Sequence, residues 1–149
     1  MYMQNWQYMI LAGQERYRSL TRKYYHQAHG IVLVFDLTDE RSFNNLNKWI
    51  KEIDDNAKNP EVIIVGNKYD LKNRAIINSK AEKFAHEKNC KYIETSAKEG
   101  TNILLLFEDL SNGMNKRRQD DSSIELKSVN TTYIFKRAEL NKELKNKKE

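Results

Sequence analysis

The sequence has 149 residues, enough for one domain with a real core, and 26 Lys and Arg against 21 Asp and Glu give a formal charge of +5. Hydrophobic residues make up 39%, and the longest aliphatic runs, 31–35 and 103–107, fall far short of the ~18 to 20 residues that span a bilayer. The single cysteine, Cys90, excludes an intramolecular disulfide and argues against a thiolate metal cluster, leaving a small buried hydrophobe as its role. The basic excess lies mostly in the tail and around helices, where it reads as a solvated surface. No charged-then-apolar secretory signal opens the sequence, which sets a cytoplasmic expectation.

Residues 1–11 are aromatic and apolar without a clean period, and 5–11 are strand-like. Tyr17, Leu20, Tyr24 and Tyr25 can share one face, serving either a core or a partner. His26 and His29 have no metal-spaced companions and read as surface residues. Residues 30–36 form a continuous apolar run, which predicts a parallel strand buried on both faces. Asp39 can cap the next helix, whose Phe43, Leu46, Trp49, Ile50 and Ile53 fall on one face at helical spacing. Pro60 closes the connection to a strand over 62–65. Ser79 to Glu82 reads as a capping box, opening a helix through about Lys88 that buries Ala81, Phe84 and Ala85. Residues 90–94 supply another strand. Ile103, Leu106, Phe107, Leu110 and Met114 mark a last helix, capped by Thr101 or Asn102. Strands alternating with helices predict an α/β fold: a three-layer parallel sheet with helices on both faces and ligand loops at the strands' carboxyl ends. The organised domain spans 1–117. Residues 118–149 form a polar, basic tail read as flexible, with an isolated Tyr133-Ile134-Phe135 and a helix candidate over 138–148.

Chemistry concentrates in three polar stretches that follow apolar ones. Ile63 to Val65 runs into Gly66-Asn67-Lys68-Tyr69-Asp70. Guanine presents a ring N–H and an amino group side by side, and the Asp70 carboxylate can accept both. Adenine would leave that carboxylate badly paired, costing a few kcal/mol. Asn67 can brace the loop, while the Lys68 stem can lie over the purine with its ammonium toward the phosphates. Tyr92 to Glu94 likewise runs into Thr95-Ser96-Ala97-Lys98, where the Ala97 N–H can approach the guanine carbonyl and Lys98 can cover the base edge. Near the start, Ala12-Gly13-Gln14-Glu15-Arg16 offers the Gly13 N–H to a phosphate oxygen and Gln14 to orient an attacking water. Taken alone, Asn-Lys-x-Asp is also an ordinary polar turn. The three stretches in this order are the specific signal.

They resemble the Ras-like small GTPases, and Ala12 to Leu20, Tyr24-Tyr25 and 30–36 look like the Rab branch, over about residues 12–117. The resemblance implies a switch in vesicle and membrane traffic that binds GTP and GDP with Mg²⁺, meets Rab-type regulators and effectors, and works in the cytoplasm or on endomembranes. It assigns Gln14 to catalysis and Gly13, Asn67, Lys68, Asp70, Ser96, Ala97 and Lys98 to the nucleotide.

This sequence departs from the family pattern in several places. None of its five glycines is followed by lysine, so the Gly-x-x-x-x-Gly-Lys-Ser/Thr phosphate loop is missing. Ile10 stands where the family has an Mg²⁺-associated aspartate, so no metal ligand is assigned. The tail shows no prenylatable cysteines and the start, with Tyr2 after Met1, offers no myristoylation signal, so the expectation is weak, salt-sensitive peripheral membrane contact. By comparison with the family, the first third of the domain is absent. The expectation is an N-terminally truncated domain with impaired hydrolysis and a marginal fold. Residues 31–35 would become an apolar edge unless 5–11 cover it. The alternative is a nucleotide-independent fragment that decoys Rab regulators or effectors. Nucleic acid is not an expected partner, because no recognised motif or aromatic-basic platform supports it.

Overall fold

The computed structural model of the protein describes residues 7–11, 24–120 and 134–135. Five strands form one parallel sheet: β1 (Tyr8–Leu11), β2 (Gly30–Asp36), β3 (Glu61–Asn67), β4 (Lys91–Glu94) and β5 (Ile134–Phe135). Their order is β4-β3-β2-β1-β5. β2 and β3, the two runs with continuous apolar character, lie at the centre, where both faces are covered.

Alternation along β2 divides the core. Ile31, Leu33 and Phe35 point to one face, with Tyr25 and the helices α1 (Glu40–Asn44), α2 (Leu46–Asn56) and α3 (Asn78–Glu87). Val32 points to the other, with Ile63, Val65 and Ile93, under Leu106, Leu110 and Met114 of α4 (Ile103–Asp120). The two-sided placement follows from handedness. From β1 to β4 the chain steps across the sheet in one direction, so right-handed crossovers keep α2 and α3 on one face. From β4 it turns back toward β5, and the same hand puts α4 on the opposite face.

The predicted α/β fold with helices on both faces is the one observed. The Phe43, Leu46, Trp49, Ile50 and Ile53 stripe is buried as expected, although a break at Asn45 divides it between two helices. Asp39 caps the first of them, accepting from the Arg41 N–H at 2.9 Å. Tyr25 is core, at 1% exposure, and Cys90 packs against the same cluster, its thiol pushed up to about 11 mainly by burial.

Several local expectations are corrected. The capping box does not form: α3 begins at Asn78, one residue earlier, after an N-cap Ile77 that makes no side-chain cap bond. His29 is half-buried, its Nδ1 accepting from the Gln7 N–H at 3.3 Å. Burial, helped by the Arg118 charge, lowers its pKa. α4 continues past 117 to Asp120, held by Arg117, whose Nε lies 2.7 Å from Glu61 Oε2. Gly113 permits that contact, since a Cβ there would sit 2.4 Å from the Glu61 carboxyl carbon.

Residues 31–35 are not an edge. β1 pairs directly with β2, Ile10 opposite Val32, and Ile31, Val32 and Leu33 are fully buried. Ile134–Phe135, from the segment read as tail, pairs in parallel with Met9 and Ile10 and covers the outer side of β1.

Candidate functional site

The carboxyl ends of β2, β3 and β4 lie side by side, and each leads into a short polar loop. Register sets the alignment: Asp36 is opposite Asn67, and Gly66 is opposite Glu94. Parallel strands put all three loops at one end of the sheet, which is where ligands bind in open α/β folds.

The loops after β3 and β4 are joined by four hydrogen bonds. Asn67 Oδ1 accepts from the Ala97 N–H at 3.0 Å and from Thr95 Oγ1 at 3.3 Å. The Tyr69 N–H donates to the Thr95 carbonyl at 3.0 Å. Ser96 Oγ donates to Asp70 Oδ1 at 2.6 Å and accepts from the Glu99 N–H at 3.1 Å. Ser96 itself is fully buried, so the Asp70 carboxylate is aimed by a group that has no freedom of its own. The same bond holds its carboxyl below the usual carboxylate range, with smaller help from the Lys98 and Lys68 charges. Asp70 is therefore ionised throughout neutral pH, as an acceptor of two donors must be.

Two predicted roles change. The Ala97 N–H, expected to face a guanine carbonyl, donates to Asn67 instead, so it would have to exchange that bond for one to a base. The Lys68 ammonium, expected to point at phosphates, lies 2.7 Å from Asp36 Oδ2. Lys68 occupies left-handed backbone at φ 71, a conformation costing about 1–2 kcal/mol outside glycine. Lys98 and Ala97 are exposed at the rim. Gly13 and Gln14 lie outside the described residues, as do Tyr17 and Leu20. Among the described residues, no group of three or more His, Cys, Asp or Glu could hold a metal ion, and no helix is long and apolar enough to cross a membrane.

Sequence reasoning missed the frame that holds these loops. Arg74 donates through Nε to the Ile76 carbonyl and pairs through Nη2 with Glu94 Oε1, which also accepts from Tyr92 Oη at 2.8 Å. The Glu94 carboxylate is the chief cause that raises the Arg74 pKa. This clamp fastens the 71–77 connection to β4. Asp36 was missed as well, although a polar residue ending an apolar strand at the loop end of the sheet is a signal that could have found it.

Comparison with known proteins shows which family the chain belongs to. The Ras family model matches residues 5–116. Ras-related protein RABD2a of Arabidopsis thaliana is 48% identical over 108 residues, covering 71% of this chain and 53% of that protein. GTP-binding protein YPTM1 of Zea mays is 41% identical over 126 residues, covering 83% and 61%. GTP-binding protein ypt1 of Schizosaccharomyces pombe is 43% identical over 108 residues, covering 71% and 53%. The chain spans about half the length of the curated relatives it matches. A family match over most of the chain, with Rab and Ypt relatives at these identities, shows that the chain belongs to the Ras family, as a Rab-type small GTPase.

Proposed function

We propose that this chain carries the guanine-recognition side of a switch in vesicle traffic, with Asn67, Lys68, Asp70, Ser96, Ala97 and Lys98 forming the base pocket. The observation that supports this most directly is the 2.6 Å bond from buried Ser96 to Asp70. It presents an ionised carboxylate, already oriented, at the ligand end of the sheet. Asp70 accepts the two adjacent guanine donors. Asn67 ties the loops together, so that the pocket is assembled before a base arrives except for the Ala97 N–H, which exchanges its bond to Asn67 for one to the base. The Lys68 stem and Lys98 flank the purine plane. Rab-type regulators and effectors are the protein partners, and membrane contact is peripheral and salt-sensitive, resting on the basic tail.

The phosphate side reads differently. With no Gly-Lys pair in the 149 residues, a row of backbone N–H groups ending in a lysine is not available to the triphosphate. Phosphoryl transfer relies almost entirely on positioning and charge. Hydrolysis by this chain therefore stays near background, and Gln14 has little to orient. A bound Mg²⁺ would supply charge at the phosphates, but Asp36, engaged by Lys68 and Thr38, is not disposed as its ligand.

The test is a titration of fluorescent GDP and ADP with and without EDTA. Weak binding that prefers GDP and ignores EDTA is expected. Equal binding of the two nucleotides overturns the base pocket, and tight GDP binding released by EDTA overturns the phosphate reading.

A further inference from the structure

Lys68 is held from three directions. Its left-handed backbone turns it toward β2, the Tyr69 N–H bond to Thr95 fixes the turn that follows, and its Nζ lies 2.7 Å from Asp36 Oδ2. Asp36 is equally constrained. Its Oδ1 accepts from the Thr38 N–H at 2.8 Å and from Thr38 Oγ1 at 2.7 Å, so the carboxylate keeps one orientation with Oδ2 toward the ammonium. The two side chains are only 33% and 16% exposed, so water screens the pair less than it would on an open surface.

The opposite charges of this pair offset each other at the adjoining carboxyl ends of β2 and β3. An anion reaching for Lys68 must displace the Asp36 carboxylate and meets its repulsion while doing so. A neutral purine or ribose laid against the lysine stem meets neither obstacle.

We propose that Asp36 is a positioning residue that fixes Lys68 as a stacking contact for the base and withholds its charge from phosphates, so that this site takes guanine nucleosides almost regardless of phosphorylation. This rests on the guanine pocket described above and deepens it, by naming the part of the nucleotide that carries the affinity.

The test compares guanosine, GMP, GDP and adenosine by calorimetric titration of the full chain and its Asp36→Asn variant. The amide keeps an oxygen for Thr38 but cannot neutralise Lys68. In the wild-type chain the three guanine ligands should agree within about threefold. In Asp36→Asn, GDP should gain about tenfold over guanosine as Lys68 is released to the phosphates, and Lys68→Met in that background should abolish the gain. A merely structural role for Asp36 would lower all affinities together and leave the GDP to guanosine ratio unmoved, which overturns the proposal. So does a wild-type ratio above tenfold, which decides the matter even if Asp36→Asn fails to fold. If adenosine binds as well as guanosine while the Asp36→Asn gain persists, the guanine pocket falls and the role of Asp36 stands. No binding by any of the four overturns both.

Discussion

At the scale of single residues, the site depends on Ser96 as much as on Asp70. The hydroxyl donates to the carboxylate while accepting from the Glu99 N–H, so its proton has one direction to point. Asp70 has a depressed pKa in the folded chain. Its ionised form, and any affinity that depends on it, is therefore present above the ordinary carboxylate range and is lost only as pH falls through the depressed value. Ser96→Ala removes the main cause of the depression. Its expected effect is a loss of about five- to tenfold in guanosine affinity at neutral pH and an acid limb displaced to higher pH. Binding measured across pH 3 to 7, or the Asp70 carboxyl shift followed by NMR, checks this. An acid limb identical in both proteins would mean that the hydroxyl does not set the ionisation of Asp70.

At the scale of elements, two positions separate what packing decides from what local sequence decides. Gly66, near the end of β3, lies under the clamp. A Cβ there would sit 2.6 Å from Tyr92 Oη and 2.8 Å from Leu37 Cδ2, both on buried or half-buried side chains. Gly66→Ala should therefore destabilise the chain by about 1–3 kcal/mol, as read from chemical denaturation, even though alanine is the better residue on entropic grounds. A neutral result would mean that Tyr92 and Leu37 give way easily. The second position is Glu82. Its spacing from Ser79 suggests a capping box, but the helix begins one residue before that serine and Ile77 occupies the cap. Glu82→Ala should change stability by less than about 0.5 kcal/mol, whereas a loss near 1 kcal/mol is what a working box would give.

At the scale of the whole molecule, the sheet is closed on one side by residues far away in sequence. β5 pairs with β1 at Met9 and Ile10 through Ile134 and Phe135, so the outer backbone groups at the middle of β1 are engaged rather than offered to another chain. In a strand, successive N–H groups point to opposite neighbours, so one of these two faces β1. Replacing both with proline removes it whichever one it is. The Ile134→Pro, Phe135→Pro variant should self-associate with rising concentration in sedimentation velocity, while the parent chain should not. A variant that stays monomeric would show that β1 is not an adhesive edge.

The alternation of strands and helices, the buried faces of α2 and α4, and the positions of the two polar loops proposed to hold a base were legible in the sequence. Each is written locally, as a continuous apolar run, a stripe at helical spacing or a polar turn after a strand. Leu110 and Met114 were legible as core for that reason, and Asp70 as a candidate acceptor. Tertiary structure alone decided that β1 lies against β2, that Ile134–Phe135 covers β1, that Ala97 serves Asn67, and that Lys68 turns to Asp36. These pairings join residues from about 20 to more than 100 positions apart in sequence. Period and propensity carry no information about such partners. Which carboxylate a lysine meets depends on which strand ends adjoin, and that is settled only when the sheet is assembled.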